Sequence, residues 1–307
     1  MKIAVILFNL GGPDKLDSVE AFLFNLFNDP AILNLPSFIR YPLAKLISKK
    51  RAPIAKNIYK EIGNKSPILE LTQDQAKSLE NNLLEKGDYK CFVVMRCWNP
   101  RAADVIKKVK EYNPKEVILL PLYPQFSAST SGSSINEWND LCEKENYKVK
   151  TKTICCYPTE NNFIESHVNL IKRTLKDLKS DNFKLLFSAH GLPESKIKKG
   201  DPYQWHVEET VNKIMSKLKA ENLDYVISYQ SRVGPMKWIG PSTDAEIIKY
   251  SKENKGIVIV PVAFVSEHSE TLVELDIEYK KLAERNGCGF YKRVPALGTE
   301  ENFIKGL

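Results

Sequence analysis

Apolar runs alternate with stretches of helical spacing along almost the whole chain. Residues 2–10, 91–95, 117–122, 149–154, 184–189, 224–229 and 257–265 are short, apolar or alternating, and bounded by turn residues. That pattern predicts strands, with a further short one near Phe290. Between them, Val19, Phe22, Leu23, Leu26 and Phe27 mark one buried helix face behind an Asp17-to-Glu20 start that reads as a capping box. Further helices are predicted over 69–86, from an Asn99 cap with Pro100 at N1 through Tyr112, and out of the hydroxyl-rich loop 123–134. Others follow over 163–178, from Asp201-Pro202 to about Leu218, after the cap at 241–244, after Ser266, and at the tail. Residues 35–51 read either as a short amphipathic helix or as a mouth-lining, membrane-touching segment. Repeated strand–helix alternation predicts an α/β fold with doubly wound parallel sheets.

The stretch 257–279 concentrates the most chemistry. Nine nearly uninterrupted apolar residues predict a strand buried on both faces, and Ser266-Glu267-His268-Ser269-Glu270 follows at once. Two readings stand open for that polar burst. One is a helix N-terminus carrying capping serines and first-turn acids. The other is a ligand site at the carboxyl end of a parallel strand. A weak internal echo pairs LFNLGGPD at 7–14 with LFSAHGLPE at 186–194, and VILLP at 117–121 with IVIVP at 257–261. It predicts two similar halves, 1–157 and 158–307, with a cleft between them and a tail helix that packs back on the first.

Composition narrows this little. A net charge of +7 arises from 45 basic against 38 acidic residues, a mild excess that does not argue for nucleic acid and modestly favours an anionic ligand or membrane surface. No run approaches the ~18 apolar residues of a spanning helix, and the start is too short for a signal peptide, so a cytoplasmic chain is expected, with loose membrane association left open. The six cysteines form no C-x-x-C pair, and buried thiols are expected, with the vicinal Cys155 and Cys156 at a strand end.

His190 ends a predicted strand directly before Gly191, where a neutral imidazole can ligate a borderline metal or take a proton near neutral pH. Glu267, His268 and Glu270 end another strand of the same half, so the groups are expected to converge. Glu270, Glu274 and Glu278 recur four apart, which fits a solvated acidic face better than a ladder conducting a cation or protons inward. Arg96, Trp98 and Trp238 together suit a large, flat, anionic ligand. His167 falls among Ile164, Val168 and Ile171 and reads as a core residue, whereas His206 reads as exposed. No G-x-G-x-x-G and no G-x-S-x-G is present.

Taken together, LFNLGGP at 7–13, IGNKSPI at 62–68, LYPQFSASTSGSS at 122–134, LFSAHGLPESKIKKGDPY at 186–203, YQSRVGPMKWIGPSTD at 229–244 and VPVAFVSEHSETLVELDIEY at 260–279 resemble the ferrochelatase family, from end to end of the chain. The resemblance implies two Rossmann-like domains with a porphyrin cleft between them. It also implies insertion of Fe2+ into a porphyrin with release of two protons, the last step of protohaem synthesis. It assigns His190 and Glu270 to the metal site and its catalysis, with Glu267 and His268 in support. Leu10, Arg96, Ser129, Thr130 and Trp238 match porphyrin-binding positions, and residues 35–51 match the lip of the pocket.

The departures carry their own expectations. Members that hold a [2Fe–2S] cluster use a cysteine where Ala128 stands and three more in a C-terminal extension beyond the position of Leu307. No cluster and no permanently bound cofactor is therefore expected, with Fe2+ as substrate. Cys97 replaces an aromatic residue that follows the arginine in other members. Alternatives are a coproporphyrin III ferrochelatase, a cobalt or nickel chelatase, and a non-catalytic porphyrin or haem carrier. Both a monomer and a homodimer are compatible with the sequence.

Overall fold

The computed structural model describes all residues except 179, 220–222, 233 and 235. Val233 and Pro235, part of the turn expected after the strand at 224–229, thus lie outside the described residues. The chain divides into two compact units, Met1–Cys156 with Leu307, and Tyr157–Gly306.

In the first unit, β1 (Lys2–Asn9), β2 (Asp88–Met95), β3 (Glu116–Pro121) and β4 (Lys150–Thr153) form a parallel sheet in the order β2-β1-β3-β4. Residues 3–9 of β1 are all buried, as a strand covered on both faces requires. Helices α1 (Val19–Phe27), α2 (Ser37–Lys60), α3 (Ile68–Leu83), α4 (Ala102–Tyr112) and α5 (Ser133–Lys144) flank it. Ile106, Val109, Leu119 and Trp138 pack in one core cluster beside the sheet.

The second unit repeats that order. Strands β5 (Phe183–His190), β6 (Tyr225–Gln230), β7 (Gly256–Pro261) and β8 (Tyr291–Arg293) pair in parallel as β6-β5-β7-β8. Its helices are α6 (Asn161–Lys176), α7 (Glu194–Lys198), α8 (Tyr203–Leu218), α9 (Thr243–Lys252), α10 (Tyr279–Arg285) and α11 (Glu301–Gly306). The tail helix α11 packs on α6 of its own unit. In each unit the strand order reverses between the first and third strands, the place where open α/β sheets bind ligands. In each unit, too, the third strand leads through a loop into a π-helical segment, at Ala128–Gly132 before α5 and at Glu270–Glu278 before α10.

Several local expectations are corrected. The capping box at Asp17 is absent: a short 3-10 turn, Leu16–Ser18, precedes α1, and the Ser18 hydroxyl donates to Asp14 at 2.6 Å. Asn99 and Pro100 do not open α4, which starts at Ala102 with Arg101 as its N-cap; both lie in the segment before it. The segment expected as a short helix at 35–51 is a 24-residue helix, with Pro42 and Pro53 inside it. Strand β7 stops at Pro261, so a loop separates it from the π-helix at Glu270. Proline has no N–H to continue the ladder, and this ends the strand although apolar residues run on to Val265.

Candidate active site

His190 is the last residue of β5, and its register partner on β6 is Gln230. Gly191 follows because nothing larger fits: a Cβ there would sit 2.9 Å from the Gln230 carbonyl and 3.4 Å from the Trp238 ring. The chain is thereby held close, and Trp238 is fixed beside the turn by a bridge to Pro193. Glu270 opens the π-helix that follows β7, the other neighbour of β5. Its Oε2 lies 2.9 Å from His190 Nδ1.

Glu270 and Glu274 share a set of donors. The Gln230 amide reaches one oxygen of each at 3.3 Å, and the Ser188 hydroxyl fixes that amide by donating to Gln230 Oε1 at 2.6 Å. The Ser231 backbone N–H donates to Glu274 at 3.0 Å, and its hydroxyl lies 2.5 Å from Glu274 and 3.1 Å from Glu270. Ser231 adopts φ 59°, a left-handed conformation rare for serine, and this aims its N–H and its hydroxyl at the same carboxylates. The Tyr279 hydroxyl donates to Glu274 at 3.0 Å.

These contacts set the charges. Burial opposes ionisation of Glu270, but the neighbouring His190 cation, its hydrogen bond, His268 and the Ser231 hydroxyl outweigh it and hold the carboxyl down at about 2. Burial also disfavours the His190 cation, yet 41 % of that side chain remains exposed, and the Glu270 charge and hydrogen bond raise its pKa on balance. Glu274 goes the other way: burial first, then the Glu270 charge, raise its pKa. His268, beside the Phe264 ring at 4.5 Å, is pushed down by burial and so tends to the neutral form. Burial opposes ionisation of Glu267, but Arg293 and the Ala296 N–H overcome it and keep the carboxyl low. Among the described residues, no group of three or more His, Cys, Asp or Glu is arranged to hold a metal ion.

The first unit offers a less charged set at the equivalent sheet edge. Leu10 follows β1 and, like Trp98, packs against the cluster that contains Val19, Phe22 and Cys97. Arg96 follows β2, and its guanidinium contacts Asp29 at 3.0 Å, Ser133 at 2.7 Å and Glu137 at 3.0 Å. Its charge is balanced inside its own unit. Ser129 and Thr130 lie in the π-helical turn, where Ser129 is buried and the Thr130 hydroxyl donates to the Ser127 carbonyl at 3.4 Å.

The family model for ferrochelatase matches residues 2–307. The chain belongs to the ferrochelatase family. It is 68 % identical over 310 residues to a ferrochelatase of Pelagibacter ubique, covering all of this chain and 90 % of that one. It is 52 % identical over 308 residues to a ferrochelatase of Rickettsia bellii, covering 85 % of that chain. The sirohydrochlorin chelatase SirB of Bacillus subtilis subspecies spizizenii, solved with cobalt, superposes with a TM-score of 0.57 at 10 % identity, over all of this chain and 92 % of its own. At that identity the likeness is one of fold.

Within the ferrochelatase frame, the structure joins His190 and Glu270 in one hydrogen bond, with Glu267 and His268 in the loop before the π-helix. It corrects the solvated-face reading at Glu274, which is drawn in by Gln230, Ser231 and Tyr279, while Glu278 is exposed. Gln230 and Ser231, which hydrogen-bond Glu270 and Glu274, were not singled out from the sequence; their place at the very end of β6 and just after it was the available signal. His206 is buried, not exposed. Cys97 is buried, and burial pushes its thiol up to about 12, whereas Cys155 is exposed against expectation.

Proposed function

We propose that this chain inserts Fe2+ into protoporphyrin IX, releasing two protons and giving protohaem, and that His190 and Glu270 carry the insertion. The observation behind this reading is the His190–Glu270 pair, an imidazole and a low-pKa carboxylate 2.9 Å apart at the switch point of the second sheet. Free porphyrin presents two N–H protons that block its centre. Ferrous ion held at Glu270 opposes a neighbouring imidazolium, so His190 faces the ring neutral and able to accept one of those protons, the second leaving to solvent or to the Glu274 carboxylate. With a carboxylate as its main protein ligand, iron is held loosely enough to pass to four ring nitrogens. A closed, four-ligand site would not release it.

In this reading Leu10, Arg96, Ser129, Thr130 and Trp238 contact the porphyrin, Arg96 acting largely by keeping Ser133 and the turn before it in place. Glu267 and His268 support the metal site. Glu274, with its raised pKa, passes protons or metal toward Glu270 from the exposed Glu278. Iron enters as substrate, with no resident cluster: Ala128 offers a methyl group where a thiolate would be needed. Helix α2 touches a membrane surface peripherally. Phe38, Tyr41, Leu46 and Ile54 are exposed on it, interleaved with Lys45, Lys49, Lys50 and Arg51. Among the described residues no helix is long and apolar enough to cross a membrane.

The test is anaerobic Fe2+ with protoporphyrin, following loss of porphyrin fluorescence, with coproporphyrin III and Co2+ as comparisons. His190→Ala should abolish insertion while porphyrin still binds; near-normal turnover of that variant would sink the assignment.

A further inference from the structure

The loop and helix that carry Glu267, His268 and Glu270 are gripped from behind by a single cation. Arg293 is the last residue of β8, and only 11 % of its side chain is exposed. Its Nε and Nη2 donate to the two carboxylate oxygens of Asp276 at 2.6 and 2.8 Å. Its Nη1 donates to Glu267 Oε1 at 2.9 Å, and the same oxygen accepts the Ala296 N–H at 2.9 Å. One guanidinium therefore ties three pieces of chain together: the edge strand, the loop before the π-helix, and the π-helix itself.

The geometry of the helix says what this grip controls. With i→i+5 bonding each residue advances roughly 80° around the axis, so Asp276 stands about 120° from Glu270 and about 160° from Glu274. The fork thus pulls on the side away from His190, Gln230 and Ser231. A bidentate fork on one carboxylate, with a third N–H on another, needs arginine; a lysine ammonium is a point charge and cannot hold that plane. We propose that Arg293 is a positioning residue for metal insertion, setting the rotation of the π-helix so that Glu270 and Glu274 meet His190 and Ser231. It touches no reacting atom itself. The inference rests on the function proposed above for His190 and Glu270.

Arg293→Lys and Asp276→Asn, singly and combined, test it in the anaerobic fluorescence assay alongside wild type, with porphyrin affinity, thermal unfolding and imidazole NMR measured on each. Either single variant should lose about tenfold or more in kcat and raise the KM for Fe2+, with porphyrin affinity within about twofold, and the double should be no worse than the worse single. The ring signals of His190 and His268 should move in both variants, whatever the turnover. The milder Asp276→Asn keeps the test open where Arg293→Lys folds poorly. Unchanged kcat and unmoved imidazole signals in a folded variant would overturn the inference, and so would a loss that only follows the unfolded fraction. An inactive wild type speaks against the proposed function, whereas the imidazole signals still judge Arg293.

Discussion

His190 and Glu270 each make the other's charged form the stable one, and this reciprocity sets the chemistry at the end of β5. Ser231 is the residue on which their arrangement turns, since it holds both Glu270 and Glu274 from a left-handed backbone. Hydrogen bonds to charged groups contribute roughly 1.5–3 kcal/mol each, so Ser231→Ala should lower kcat by about tenfold or more, with porphyrin affinity little changed. Steady-state kinetics in both substrates checks this. His190 was legible in the sequence because an imidazole between an apolar strand and a glycine has few structural uses. Ser231 was not, because serine is ordinary in a turn and only its φ marks it. Glu274 was misread because acids spaced by four look solvated on an α-helix; Gln230 and Ser231, which recruit it, lie more than forty positions away.

Helix α2 and the π-helix are the elements whose roles depart most from their sequence patterns. α2 keeps large apolar side chains in water beside lysines, and the segment 35–51 showed this before the structure showed its length. The two internal prolines concealed that length, since each ordinarily ends or kinks a helix. Replacing Phe38 or Leu46 with Asp should weaken binding to vesicles containing anionic lipid by about tenfold or more, as loss of a ~1.5–3 kcal/mol apolar anchor implies. Vesicle co-sedimentation measures it. The π-helix was unreadable for a different reason. Residues 270–278 satisfy α-helical spacing as well as they satisfy the wider turn, and the contacts that hold them, from Arg293 to Asp276 and from Ser231 to Glu274, come from distant parts of the chain.

At the scale of the molecule, two sheets of one topology account for the internal echo, and the repeated VILLP and IVIVP strands are β3 and β7. Each unit has its own core, and the core of the second contains a buried histidine. His167 lies edge-on to Phe163 at 4.9 Å, neither ring nitrogen has a hydrogen-bond partner among the described residues, and burial pushes its pKa down from 6.5 to about 3. The folded value lies below the unfolded one, so stability is full above about 6.5 and falls as acid protonates the unfolded chain, by ~1.4 kcal/mol per pH unit between the two values. His167→Leu should remove that acid sensitivity and raise Tm below pH 6, which thermal melts across pH would show. The residue was legible as core from its apolar neighbours; the unpaired nitrogens needed coordinates. Charge gives the acidic side of the π-helix a further meaning. The chain carries a net +7, so an arriving dication is repelled by the molecule as a whole and drawn in only where carboxylates gather. If Glu270, Glu274 and Glu278 serve as the proposed path, they set three carboxylates on one helix of a net-positive chain, and uptake of ferrous ion there should depend on ionic strength as much as on ligand chemistry.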